Sequence, residues 1–123
     1  MSRQKAKGTK YETAFVEYER MAFGDDERTI RRATLSGAND EGDVVGLTFH
    51  GERIVVECKD HRKYELREWM REAQREAGNA DAPLWVVSFH LNGVGIANMG
   101  EQAILTTTDN FNHLLGATWP RED

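Results

Sequence analysis

Apolar and polar residues alternate along the chain in short blocks, and their spacing predicts an α/β domain. Apolar residues recur every three or four positions over residues 10–23 and 64–77, which is typical of helices with one buried face. Runs rich in β-branched and aromatic residues over residues 43–49, 53–59 and 83–89 are typical of strands. Weaker patterns predict strands over residues 28–35, 95–99 and 103–107, and a short helix over residues 109–115. This order favours one α/β domain, with a central mixed β-sheet of about five strands flanked by helices.

Turn residues indicate how the strands connect. His50-Gly51 forms a tight turn that joins the strands over residues 43–49 and 53–59 into a hairpin. A helix separates the strand over residues 53–59 from the strand over residues 83–89. These two strands are therefore expected to lie parallel in a βαβ unit.

The helix ends carry their own signals. Thr9 and Glu12 match the capping box, in which each side chain accepts a hydrogen bond from the other residue's backbone N–H. The first helix is therefore expected to begin near Lys10, and Gly24 to end it. Gly78 occupies the position of a C-terminal cap for the second helix. For the last helix the expected cap is Thr108 or Asp109, and the residues expected to face the core are Phe111, Leu114 and Leu115.

The strand over residues 53–59 ends in charged residues where an apolar run would bury them. Side chains alternate along a strand, so Glu57 and Lys59 point to one face and Cys58 to the other. Burying a charge is unfavourable unless the group is paired or binds a metal. Asp43 begins the preceding strand, and neighbouring strands lie about 5 Å apart, so Asp43 and Glu57 are candidates to share one divalent cation. The backbone carbonyl of Cys58 is a further candidate ligand between them.

The chemistry of these residues fits hydrolysis of a phosphodiester. Oxygen-only ligation favours Mg²⁺ or Mn²⁺ over zinc. An ion so held polarises the phosphodiester and lowers the pKa of an attacking water. Lys59 is placed to orient that water or to neutralise charge on the phosphate. Glu12 is the remaining acidic candidate, in the first turn of a helix that can pack beside this edge of the sheet.

Each candidate also has a purely structural interpretation. Glu12 is explained most simply as the capping-box partner of Thr9. Asp43 can simply begin a strand after a turn, and Lys59 can pair with Glu57. Cys58 is a small side chain suited to the core. No metal or catalytic role is expected for His50, His61, His90 and His113, and Trp69 and Trp85 are expected in the core.

Net charge weighs against nucleic acid as a partner, but the distribution of charge softens that objection. The chain carries 21 acidic and 16 basic residues, for a formal charge of −5. The basic residues gather in groups, and a locally basic face on an acidic protein can bind phosphates. Taken singly, each group is more simply a solvated face. The groups are Arg3, Lys5, Lys7 and Lys10; Arg28, Arg31 and Arg32; and Lys59, His61, Arg62 and Lys63.

The remaining composition is typical of one small soluble domain. A single domain over residues 1–123 is expected, with a flexible basic arm over residues 1–8 and a tail over residues 116–123. The lone cysteine, Cys58, excludes an internal disulfide and a cysteine-based zinc site, and fits a reducing cytoplasm. No apolar stretch approaches the roughly 20 residues of a membrane span, and no secretory signal is expected at the N-terminus.

Several of these features occur together in an order that resembles a nuclease superfamily. They are Lys7-Gly8 before the helix that carries Glu12, a Ser36-Gly37 loop, Asp43 opening an apolar strand, Gly51 in a hairpin turn, and Val55-Val56-Glu57-Cys58-Lys59. The chain resembles the PD-(D/E)xK nuclease superfamily, and within it is most similar to the archaeal-type Holliday junction resolvases, which also occur in viruses. The resemblance covers roughly residues 5–90 and implies a restriction-endonuclease-like fold.

The resemblance implies a homodimer that makes symmetric, Mg²⁺-dependent nicks in a four-way DNA junction. By position, Glu12, Asp43, Glu57 and Lys59 match the family's catalytic residues, and Ser36 matches a loop serine near the scissile phosphate. The expected ligands of Mg²⁺ or Mn²⁺ are Asp43, Glu57, Glu12 and the Cys58 carbonyl. The expected DNA-binding residues are Lys7, Lys10, Arg31 and Arg32, which match backbone-contacting positions, together with Lys5, Arg62 and Lys63.

Two alternatives to a junction resolvase stay open. One is a nuclease of the same superfamily with another target, as in restriction or repair, and the other is a catalytically inactive DNA-binding protein. The chain departs from the family pattern in its acidic net charge, in a longer loop between Ser36 and Asp43, and in Gly42 instead of proline before Asp43, a departure that is common. The resolvase is favoured because no added specificity domain is evident. Action in the cytoplasm of a prokaryotic or phage-infected cell is expected.

Overall fold

The chain folds as a mixed β-sheet with helices on both faces in the computed structural model, which describes residues 2–34 and 40–118. The helices are α1, Arg3–Phe23; α2, Leu66–Asn79; and α3, Thr108–Leu114. The strands are β1, Arg31–Arg32; β2, Val44–Val45; β3, Thr48–Phe49; β4, Glu52–Lys59; β5, Leu84–Phe89; and β6, Ala103–Leu105. The predicted class, one α/β domain with a mixed sheet between helices, is confirmed. Within the described ranges, no helix is long and apolar enough to cross a membrane.

The sheet is organised around β4, the longest strand. The strand order is β1-β2-β4-β5-β6, and β3 also pairs with β4. β4 runs antiparallel to β2 and β3 and parallel to β5, with Val44 opposite Val56 and Glu57 opposite Val87. Because α2 connects β4 to β5, the predicted βαβ unit is confirmed.

The two faces of β4 belong to different hydrophobic layers. Val56 and Cys58 pack with residues of α1 on one face, and Val55 packs toward α2 on the other. The alternation therefore turns Glu57 and Lys59 toward α2, on the face opposite Cys58, as the period of two predicts. The α1 layer also includes Tyr11, Phe15, Val16 and Ile30, and the α2 layer includes Trp69, Ala73, Trp85 and Phe89.

The first helix begins earlier than the sequence predicts. Ser2 is its N-cap, and the Ser2 side chain accepts a hydrogen bond from the backbone N–H of Lys5 at 3.1 Å. Thr9 and Glu12 consequently lie inside the helix, so the predicted capping box is wrong, and so is the arm over residues 1–8 from Arg3 onward. The residues after Ser2 are mostly Arg, Gln, Lys and Ala, which favour helix even without an apolar stripe. The predicted end at Gly24 is confirmed.

The second helix continues past its predicted cap. Gly78 lies inside α2, and the C-cap is Ala80. Asp81 follows in the left-handed conformation, with φ of 56°, and its N–H bonds the Gly78 carbonyl while the Ala82 N–H bonds the Ala77 carbonyl. This is a Schellman motif, and Asp81 supplies the left-handed residue that Gly78 was expected to provide.

A glycine divides the strand that was predicted over residues 43–49. Gly46 has φ of 99°, and a Cβ there would lie 2.3 Å from the carbonyl oxygen of Thr29. The chain therefore leaves β2 at Gly46 and pairs again as β3. The predicted strand over residues 28–35 is confined to β1 within its described part. The predicted strand over residues 95–99 is wrong, since that segment forms turns that lead into a 3₁₀ turn at Met99–Glu101.

The last helix packs differently from its prediction. Its N-cap is Thr107, whose hydroxyl accepts the Asn110 N–H at 3.1 Å, rather than Thr108 or Asp109. Phe111 and Leu115 were expected in the core but are 55% and 70% exposed. A polar contact contributes to holding α3, since the Asn110 amide donates to the Trp85 carbonyl at 3.2 Å.

Candidate active site

Asp43 lies directly before β2 and is held against β4 by two hydrogen bonds. Its Oδ2 accepts the backbone N–H of Cys58 at 2.8 Å, and its own N–H donates to the Val56 carbonyl at 2.8 Å. The N–H and C=O of one strand residue point to the same neighbouring strand. The Cys58 carbonyl is therefore directed to the side on which Asp43 lies, as expected for the candidate ligand.

Glu57 and Lys59 lie on the α2 face of β4, next to each other and close to Asp43. Glu57 is 5% exposed, and its Oε1 lies 3.7 Å from the Lys59 Nζ. Burial is the main reason that the pKa of Glu57 is raised, and the Glu76 and Asp43 carboxyls add to it. The structure thus brings together three of the residues that the sequence selected, Asp43, Glu57 and Lys59.

The electrostatics of Asp43 depend on both faces of the sheet. Burial raises its pKa to about 6, although the Cys58 N–H favours the ionised form, and the Glu12 and Asp40 carboxyls act in the same direction as burial. The carboxyls of Glu12 on α1 and of Asp40 are therefore near enough to Asp43 for their charges to act on it.

Glu12 is free of the capping role that the sequence suggested. It lies within α1, and its Oε1 accepts a hydrogen bond from the Arg32 Nε at 3.1 Å. Its charge acts on both Asp43 and Cys58, so Glu12 belongs to the neighbourhood of the candidate metal site. The structural alternative for Glu12 is an ion pair with Arg32, not a helix cap.

The second helix adds two carboxyls that the sequence interpretation did not include. Glu72 accepts a hydrogen bond from the Lys59 Nζ at 2.6 Å. Burial opposes the charge of Lys59, but Glu72 and then Glu57 outweigh it and raise the pKa of Lys59. Glu76 is 2% exposed, and its carboxyl contacts that of Glu57. The available signal was helical spacing, because Glu76 follows Trp69 and Ala73 along the apolar stripe of α2.

A histidine with no predicted role connects the end of β5 to α1. His90 Nδ1 lies 3.0 Å from Asp60 Oδ1, and its Nε2 lies 2.5 Å from the Val94 carbonyl oxygen. Each ring nitrogen therefore lies within hydrogen-bond distance of an oxygen atom. Tyr11 stacks on the ring at 5.6 Å, and Lys7 Nζ lies 3.4 Å from Asp60. These contacts fasten the first half of α1 beside the end of β4.

The predicted DNA-binding residues differ in their surroundings. Lys7 pairs with Asp60 and Arg32 pairs with Glu12, which brings both close to the site. Ser36, predicted to act near the phosphate, lies in residues 35–39, outside the described residues. The other predicted DNA-binding side chains are exposed; they are Lys5, Lys10, Arg31, Arg62 and Lys63.

Neither ligand geometry nor known proteins identify this site. In residues 2–34 and 40–118, no three His, Cys, Asp or Glu side chains are already arranged around one point as metal ligands. Comparisons with protein-family models, curated proteins and solved structures found no significant match to this chain.

Proposed function

We propose that this chain is a metal-dependent DNA endonuclease of the PD-(D/E)xK type, with a four-way DNA junction as its substrate. The observation that carries the proposal is the meeting of Asp43, Glu57 and Lys59 beside the end of β4, with Asp43 Oδ2 bonded to the Cys58 N–H at 2.8 Å. Junction specificity rests on the sequence resemblance alone.

The donor set fits a small divalent cation. Glu57 Oε2 is buried and has no hydrogen-bond partner among the described residues, and an ionised carboxyl in that state is costly. Asp43, Glu57 and the Cys58 carbonyl would hold Mg²⁺ or Mn²⁺, with Glu12 beside them, since all offer oxygen. When bound, the ion supplies charge that polarises the phosphodiester and acidifies the attacking water.

The chain's own residues have separate tasks in this proposal. Asp43 is oriented by β4 before any ligand binds, which limits the reorganisation that binding requires. Lys59 donates hydrogen bonds from its ammonium to a phosphate oxygen and stabilises negative charge that develops there. Exposed basic residues such as Lys10 and Arg31 contact the DNA backbone without reading its sequence.

A homodimer fits this substrate. A four-way junction has approximate two-fold symmetry, and a C₂ dimer would present one site to each of two equivalent strands. Such a protein would act in the cytoplasm of a prokaryotic or phage-infected cell.

Cleavage of a synthetic four-way junction tests the proposal. With Mg²⁺ or Mn²⁺ we expect paired, symmetric nicks, and Asp43→Asn or Glu57→Gln should lower the cleavage rate by about a hundredfold or more. Junction binding in a gel-shift assay should be largely retained, because these side chains act on the reaction. Glu68→Gln is the matched control, since this α2 carboxyl is exposed and pairs only with Arg71 at 3.9 Å among described residues.

The possible outcomes separate the alternatives. Equal cleavage of a linear duplex would reject junction specificity and leave a nuclease with another target. Full activity in Asp43→Asn would reject the metal-site assignment.

A catalytically inactive DNA-binding protein is the second candidate. It is favoured because two basic side chains of the site already form ion pairs with glutamates: Lys59 contacts Glu72 at 2.6 Å and Arg32 contacts Glu12 at 3.1 Å. Junction binding without cleavage in either metal would support this candidate over the nuclease.

A further inference from the structure

The α2 face that covers β4 carries a carboxyl where the pattern calls for an apolar side chain. Glu76 is 2% exposed and lies on the buried stripe of α2 with Trp69, Ala73 and Ala77. A buried carboxyl is costly unless a proton or a cation neutralises it. Glu72, one turn earlier on the same face, contacts Lys59 at 2.6 Å, which shows that this face is directed at β4.

Two buried carboxyl oxygens in this cluster have no partner in the described part of the chain. They are Glu57 Oε2 and Glu76 Oε2. The neighbouring ammonium of Lys59 contacts Glu72 Oε2 at 2.6 Å and Glu57 Oε1 at 3.7 Å, and so leaves both of these oxygens unsatisfied. Ionised carboxyls only accept hydrogen bonds, so Glu57 and Glu76 cannot satisfy each other unless one is protonated.

The charges around Glu76 favour a cation over a shared proton. Glu57 and Glu76 are both buried, and Asp43 is bonded to β4 beside Glu57, through the Val56 carbonyl and the Cys58 N–H. One proton between Glu57 and Glu76 would leave the charge of Asp43 uncompensated nearby. A divalent ion offsets several carboxylates at once, and carboxylate oxygens are the donors that Mg²⁺ and Mn²⁺ prefer.

We propose that Glu76 is a ligand of the divalent cation, together with Asp43 and Glu57, and that cation binding brings these three carboxyls, which are not arranged around one point without it, into contact with the ion. This inference rests on the proposed metal-dependent function and names a ligand that the family pattern does not supply. The cation would connect the start of β2, the end of β4 and the C-terminal part of α2, and so would join the helix to the sheet.

The competing interpretation is a structural pair in which Glu57 and Glu76 share a proton. In that case Glu76→Gln would strengthen the contact, because the Gln amide donates to Glu57, and cation affinity would not depend on position 76. The two interpretations therefore differ in a binding constant that can be measured without DNA.

Mn²⁺ binding to the full chain tests the proposal. The electron paramagnetic resonance signal of free Mn²⁺ reports binding, and we expect Glu76→Gln to weaken it by about tenfold or more. Glu72→Gln is the matched control, because it removes the same charge one turn away on the same helix and should weaken binding far less. If Glu76→Gln does not fold, Glu76→Asp gives the same test, since it keeps the charge but withdraws the ligand oxygen by one methylene.

Three results would overturn the proposal. They are unchanged Mn²⁺ affinity in Glu76→Gln, equal weakening in Glu72→Gln, which would indicate an effect of charge alone, and no Mn²⁺ binding by the wild type. Mn²⁺ binding that depends on Glu76 without DNA cleavage would reject the nuclease and retain this ligand. DNA cleavage with a Mn²⁺ affinity that does not depend on Glu76 would support the nuclease and reject Glu76 as a ligand.

Discussion

At the scale of single residues, Asp43 and Glu57 differ in how firmly they are positioned. Asp43 has both its backbone N–H and one carboxyl oxygen bonded to β4. Glu57 is placed by its strand, but one of its oxygens has no bond within residues 2–34 and 40–118. Asp43 is therefore preorganised, whereas the position of the Glu57 carboxyl depends on the cation or proton that binds its free oxygen.

Glu12 gives a prediction that separates stability from chemistry. Glu12→Gln removes an ion pair with a half-exposed Arg32, at 3.1 Å, and such pairs contribute no more than about 1 kcal/mol. The free energy of unfolding should therefore change little. If Glu12 assists the cation, junction cleavage should fall by at least about tenfold, equivalent to about 1.4 kcal/mol of barrier.

Denaturant unfolding and single-turnover cleavage measure the two effects. Arg32→Gln is the matched control for the unfolding measurement, since it breaks the same ion pair and leaves the carboxyl of Glu12 in place. A stability loss in Glu12→Gln with unchanged cleavage would assign Glu12 to structure alone.

At the scale of elements, the β2–β3 segment depends on one glycine. Gly46 combines φ of 99° with a backbone approach that leaves no space for Cβ. Gly46→Ala should therefore lower the free energy of unfolding by about 1–3 kcal/mol or more.

Gly8→Ala is the opposite case, because Gly8 lies inside α1 with nothing within 4 Å of an added Cβ.

Gly8→Ala should raise the free energy of unfolding by about 0.5–1 kcal/mol, since alanine favours helix over glycine. Thermal or denaturant unfolding of both variants checks the pair. A destabilising Gly8→Ala would mean that the start of α1 is not helical in solution, and a neutral Gly46→Ala would contradict the close approach to Thr29.

At the scale of the whole molecule, buried carboxyls next to β2, in β4 and in α2 couple stability to pH. Burial raises the pKa of Asp43 from 3.8 to about 6, and raises the pKa of Glu57 and Glu76 above 4.5. Above pH 4.5 the unfolded chain has lost protons that the folded chain retains. The metal-free protein should therefore lose stability as pH rises, by about 1.4 kcal/mol per pH unit for each such group until pH passes its folded pKa, which for Asp43 is about 6.

Denaturant unfolding in a chelator at about pH 5, 6 and 7 measures this slope. Glu76→Gln removes one of the groups, so its slope should be shallower and its stability at neutral pH higher than that of the wild type. Equal slopes in the two proteins would show that Glu76 does not retain a proton in the folded state.

The sequence by itself determined the elements around β4 and the residues that meet there. A hairpin and a βαβ unit pair strands that are near one another in the chain, so Asp43 and Glu57 could be placed together before the structure was known. The period of two also decided that Glu57 and Lys59 share a face opposite Cys58. Both rules act over short stretches of the chain, and the strand pairing and the two faces of β4 follow them.

Only the tertiary structure decided which helix residues reach that strand. The Glu76 carboxyl contacts that of Glu57, and Glu12 forms an ion pair with Arg32 instead of capping the helix. Both contacts depend on how each helix is rotated against the sheet, which the packing of a whole layer decides. Both Ser2 and Thr9 have side chains that can cap the N-terminus of α1. The helix begins at Ser2 because the longer helix forms more backbone hydrogen bonds. Residue spacing along the chain does not predict these contacts, because they form between elements that are distant in sequence.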